Sequence, residues 1–133
     1  MYNKLFYPAI FHKAEEGGFW VSFPDFPECL TEGDNTEQAY EMAIEALGLT
    51  ITDKLHNKED LPTPSNLESI TLDNDCYMAI IEFDMLAYNR KHNSKAVKKT
   101  LSIPEWLNEE AMALGINFSQ VLQDALVQKI STK

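Results

Sequence analysis

Asp25, Glu28, Glu32 and Asp34 fall within ten residues of one another. Carboxylates so crowded are the raw material of two-metal phosphodiester chemistry, which needs several of them converging on a pair of divalent ions. The cluster is interleaved with Pro24, Pro27 and Gly33, in sequence that reads as loop and turn, where solvated carboxylates are common. The only acids on an obvious core strand are Glu82 and Asp84. His12, His56 and His92 are dispersed, without ligand spacing and without a paired cysteine nearby. Cys29 and Cys76 are too few for a disulfide framework; each is followed directly by an apolar or aromatic residue and reads as a small buried hydrophobe. No catalytic residue, metal or cofactor is expected.

The remaining chemistry is that of charge and of alternation. The formal net charge is −10, but it is unevenly spread. Residues 1–89 hold seventeen Asp and Glu against four Lys, whereas residues 90–133 hold seven Lys and Arg against four acids. From Arg90 to Lys99 there are five Lys or Arg and no acid. An acidic body with a basic joint suggests two partners of opposite charge. Just beyond that tract Val97, Leu101 and Ile103 alternate with Lys98, Thr100 and Ser102, which gives a strand with one apolar and one polar face.

The elements that position these residues can be read from the termini inward. Residues 2–12 are rich in aromatic and β-branched types and read as a strand. The turn Glu15-Glu16-Gly17-Gly18 and a second strand over residues 19–23 complete a hairpin. The prolines make FPDFPE, residues 23–28, a stiff loop, after which residues 29–31 return as a third strand ending at Gly33. Asn35 and Gln38 form a capping box. The helix it opens carries Ala39, Ala43, Ala46, Leu47 and Ile51 at helical spacing, with Glu37, Glu41 and Glu45 four apart on a solvated flank. Pro62 and Pro64 enforce a loop, and residues 76–83 form an apolar strand. The order β-β-β-α-β describes a small α+β layer with one helix on a sheet.

Residues 89–96 read as a basic linker between a domain at 1–88 and a module at 97–133. In the module Pro104 stops the strand and starts a helix, Gly115 caps that helix, and Asn117 with Gln120 opens a second one. One strand and two short helices cannot bury an adequate core alone. Two copies pairing antiparallel would supply it, so a homodimer is expected.

The segment KKTLSIPEWLNEEAMALGINFSQVLQDAL, residues 98–126, resembles the ribbon-helix-helix family, whose two-stranded ribbon enters the major groove of DNA. That resemblance implies Lys98, Thr100 and Ser102 at base edges. It also implies phosphate contacts from Asn117, Phe118 and Ser119 at a helix start. Lys99 lies on the inward face, where an apolar residue is usual, and its long stem is expected to bend toward phosphate.

The segment YPAIFHKAEEGGFWVSFPDFPECLTEGDN, residues 7–35, resembles the N-terminal domain of HicB antitoxins, and FDMLAYNRK, residues 83–91, fits that family as well. The family commonly has Gly after the second loop proline, where this chain has Glu28. The likeness implies a partial RNase H-like fold at the N-terminus and a HicA-type RNA-cleaving toxin as partner; the acidic charge and the stiff proline-braced loop make Trp20, Asp25, Phe26 and Glu28 the expected toxin contacts. It also implies operator DNA as a second partner, while a cytoplasmic protein is expected from the want of a leader or a spanning stretch. Pairing of N-terminal domains into a tetramer is left open. The alternative is a ribbon-helix-helix regulator whose first domain senses a small ligand. No apolar stretch approaches the roughly 20 residues needed to span a bilayer, and no leader segment precedes the first strand-like run.

Overall fold

The computed structural model describes residues 4–131. The chain divides into two compact units, Lys4–Asn93 and a second beginning at Ser94. The first contains β1 (Lys4–Lys13), β2 (Phe19–Phe23), β3 (Phe26–Gly33), α1 (Thr36–His56), a single 3-10 turn (Leu67–Ser69), β4 (Cys76–Asp84) and α2 (Met85–His92). Its strands form one antiparallel sheet in the order β3-β2-β1-β4.

Local chemistry explains most of these boundaries. Gly17 and Gly18 take positive φ at the hairpin turn, a backbone region open to glycine at little cost. Gly18 additionally lies so close to the Gly33 carbonyl that a side chain would not fit. At the start of α1 the Asn35 carboxamide accepts the Gln38 amide at 2.8 Å, satisfying a first-turn donor, and the Gln38 side chain reaches back past the cap to the Asp34 amide, a variant of the capping-box pairing.

Ala39, Ala43, Leu47 and Ile51 recur every four residues and are fully buried. Their stripe packs on the inward face of the sheet, made by Tyr7, Ala9, Phe11, Val21, Phe23, Ile81 and Phe83. The two alanines hold the helix close, and each larger apolar side chain so buried contributes about 1.5–3 kcal/mol.

Three features depart from the sequence-based expectation. Only Pro24 and Asp25 form the turn after β2; Phe26 to Glu28 already belong to β3, which a register shift at Ser22 and Phe23 admits. Pro27 is tolerated because β3 is an edge strand, where a missing N–H need not break a ladder. Residues 89–92, expected in a polar linker, are the last turns of α2, whose start is capped by the Asp84 carboxylate accepting the Ala87 amide at 3.0 Å. Cys76 is only partly buried, unlike Cys29.

The second unit holds α3 (Glu105–Ala113) and α4 (Phe118–Ser131). Residues 93–104 carry no helix or hydrogen-bonded strand in the single chain. Gly115, at φ 70°, ends α3; its amide donates to Met112 and the Ile116 amide donates to Ala111. These are the two bonds of a Schellman motif. No helix among the described residues is long and apolar enough to cross a membrane.

Candidate functional site

In the second unit, Lys98, Lys99, Thr100 and Ser102 all lie exposed in the irregular segment before α3. The Asn117 side chain accepts the Gln120 amide at 3.0 Å and so caps α4. The amides of Phe118 and Ser119 occupy the first turn, where no intrahelical acceptor exists and an anion is favoured. The Ser119 hydroxyl accepts from Gln123 Nε2 at 3.0 Å, which orients it along the helix.

The apolar residues here are displayed rather than buried. Val97, Leu101, Trp106, Leu114 and Val121 are each more than half exposed, and Ala111 is the one buried residue of α3. Helix α4 buries none among its described residues. A pair of helices that leaves most of its hydrophobic stripe uncovered has no stable core of its own.

In the first unit, the structure separates the four residues expected at a toxin contact. Phe26 is 0% exposed, and its ring meets Tyr7 edge-on at 4.7 Å; it is a core residue and cannot touch a partner. Asp25 accepts both the amide and the hydroxyl of Ser65, at 3.0 and 2.6 Å, so its carboxylate pins the proline loop. Glu28 pairs with Lys54 of α1 at 3.1 Å. A bond from its own backbone amide and then the Lys54 ammonium hold its carboxyl below the ordinary value.

Trp20 is displayed, with 42% of its surface exposed, and Glu28 is exposed as well, though its carboxylate is held by Lys54. The crowded carboxylates therefore do not converge: Asp25 and Glu28 are engaged elsewhere, and Glu32 stands opposite Trp20 on β3. Among the described residues no group of three His, Cys, Asp or Glu is placed to hold a metal.

Trp20 belongs to an arrangement that the sequence reading missed. Its ring stacks on His12 with centroids 3.6 Å apart and planes 6° from parallel. His12 Nε2 lies 2.8 Å from the Ser22 hydroxyl, and Nδ1 lies 3.3 Å from the Cys76 thiol. The register of the Gly-Gly hairpin places His12 directly opposite Trp20, so counting back from the turn would have found the pair.

Burial pushes the His12 imidazolium below the usual 6.5, against an opposing pull from Asp73. Folding therefore favours the neutral ring. The stability it contributes is complete above pH 6.5 and declines as the pH falls through the lowered folded value. NMR titration should place the His12 midpoint below 6.5; a midpoint at or above that value would contradict the burial argument.

Residues 7–125 match the family described as HicB_like antitoxin of bacterial toxin-antitoxin system. Among curated relatives, Antitoxin HicB 1 of Photorhabdus laumondii is 47% identical over 58 residues, which is 44% of this chain and 37% of that protein. Antitoxin HicB of Escherichia coli K12 is 41% identical over 63 residues, 47% of this chain and 46% of the relative. The matched stretch thus spans less than half the length of either relative. Among solved structures, a toxin-antitoxin complex from Streptococcus pneumoniae contains a chain superposing with a TM-score of 0.60 at 28% identity, covering 95% of this chain and 99% of that one.

Proposed function

The chain belongs to the HicB-like antitoxin family of bacterial toxin-antitoxin systems, and we propose that it neutralises a HicA-type RNA-cleaving toxin through its first unit and represses its own operon through its second. On this reading the first unit is a partial RNase H-like domain that serves as a binding surface. The second unit is a ribbon-helix-helix module that dimerises and holds operator DNA.

The observation that carries the proposal is the uncovered apolar face of α3 and α4, next to a segment whose polar and apolar residues alternate from Val97 to Ile103. A second copy pairing along that segment would satisfy its backbone and cover both helices at once. The polar face of such a ribbon carries Lys98, Thr100 and Ser102, of the size and chemistry that reach base edges, and Lys99 and the start of α4 are suited to flanking phosphates. The charge division supports the same assignment, since a polyanion is drawn to the basic tract and a cationic protein to the acidic unit.

Gel-shift titration against the DNA upstream of the chain's own gene tests the repressor half. Thr100→Ala is expected to weaken specific binding by about 1–3 kcal/mol, and Lys98→Ala to weaken it while flattening its dependence on salt. Unchanged affinity in both variants would overturn the ribbon assignment.

A further inference from the structure

Helix α1 covers only one face of the sheet. On the other face, side chains from all four strands form an apolar surface: Phe6 and Ile10 of β1, Trp20 of β2, Leu30 of β3, and Met78 and Ile80 of β4. Strand alternation puts these residues opposite the buried set, and the register joins them, Ile10 lying beside Met78 on one side and beside Ser22 on the other, with Leu30 next to Ser22. Phe6, Trp20, Leu30 and Ile80 each keep two-fifths or more of their surface exposed. A one-sided antiparallel sheet ordinarily turns polar residues to water, and a contiguous apolar face of this kind marks an interaction site.

The rim of that face specifies its partner. At the hairpin end stand Glu15 and Glu16 in the turn, Glu32 opposite Trp20, Asp34 after β3, and Asp73 and Asp75 before β4, all exposed, with Lys13 as the nearby cation in sequence. At the far end Lys4 is engaged by Glu82 at 3.5 Å. Over Lys4–Asn93 seventeen carboxylates face six Lys and Arg. A second copy would bring like-charged rims together, and a nucleic acid would be repelled outright. A basic protein matches both features, its apolar residues against the face and its Lys or Arg against the rim.

Trp20 is also ordered in advance. His12 supports its ring and is itself held by Ser22 and Cys76, so little rotamer freedom is lost on docking, the property that makes a buried aromatic an anchor. The turn at Pro24 and the start of β3 are a poorer candidate, because Asp25 and Glu28 already serve Ser65 and Lys54.

We propose that the sheet face centred on the Trp20–His12 stack is the docking surface for the cationic toxin. The inference rests on the neutralising role proposed above and names the surface that performs it. Calorimetric titration of the full-length chain with the small basic protein encoded by the adjoining gene tests it. Trp20→Ala combined with Leu30→Ser is expected to weaken that binding roughly 30-fold or more, with operator affinity, assembly mass and circular dichroism unchanged.

Wild-type chain that fails to bind the protein would overturn the neutralising role itself. Wild-type and variant chains that bind equally would leave that role standing and overturn the face. A fall in assembly mass in the variant would make the face a contact between copies, which also overturns the proposal. Should the double variant unfold, Leu30→Cys labelled with maleimide, with and without the toxin, reads the same surface: protection is expected, and equal labelling overturns it.

Discussion

Phe26→Ala is expected to destabilise the first unit by about 3–5 kcal/mol, the usual consequence of emptying a buried aromatic site. In a unit of this size that corresponds to a fall in melting temperature of roughly 15 °C or more. Phe26 has no exposed surface and packs edge-on against Tyr7, which itself donates to the Pro62 carbonyl at 2.6 Å. Removing the ring therefore opens a cavity at the point where β3, β1 and the loop at Pro62 meet, and neither strand can move inward without breaking its ladder. Thermal melting followed by circular dichroism checks the size of the effect. A loss under about 1 kcal/mol, the level of an ordinary surface change, would show that Phe26 lies outside the core. Its effect on toxin binding should vanish once the folded fraction is accounted for, which sets it apart from Trp20.

Phe26 also shows what a one-dimensional reading can and cannot see. Helix caps were legible because their chemistry closes within four residues: the Asn35 and Asn117 side chains cap α1 and α4, and Gly115 ends α3, as their types suggested, although the Gln120 side chain turns to Asp124 and leaves the second capping box incomplete. The buried stripe Ala39, Ala43, Leu47 and Ile51 was legible for the same reason, since helical spacing is local. The FPDFPE segment was misjudged because the tolerance of Pro27 depends on β3 being an edge strand, a fact about strand order that no neighbouring residue records.

The fates of the two loop carboxylates were beyond local reading as well. Asp25 finds Ser65 forty residues away in sequence, and Glu28 finds Lys54 near the far end of α1. Helix α2 was missed for a related reason. Tyr88 packs on Phe83, with ring centroids 5.3 Å apart, and over Gly48, where an added Cβ would lie 2.5 Å from the ring; that seat exists only after α1 and β4 have come together. A further tie, Lys91 to Glu45 at 3.0 Å, is solvent-exposed and adds little, ~1 kcal/mol at most.

Leu101→Asp is expected to abolish the dimer proposed for the second unit, raising its dissociation constant by about three orders of magnitude or more. In the single chain Leu101 is well exposed, and it shares the apolar face of the alternating segment with Val97 and Ile103. If two copies pair along that segment, this face turns inward onto both helix pairs. Each copy then places an aspartate in a low-dielectric layer without a cation to meet it. Burying one unpaired charge costs several kcal/mol, the symmetry of a two-fold interface applies the cost twice, and each 1.4 kcal/mol is a factor of ten. Light scattering on the full-length chain should show a lower mass for the variant, and operator binding should be lost with it, because two half-sites can no longer be held together. Leu101→Met, which keeps volume and apolarity, should leave both properties near wild type. Lys98→Ala separates the two roles, since it should weaken DNA binding at unchanged mass. A Leu101→Asp chain with wild-type mass and wild-type operator affinity would show that the displayed apolar face of residues 97–130 is covered by something other than a second copy.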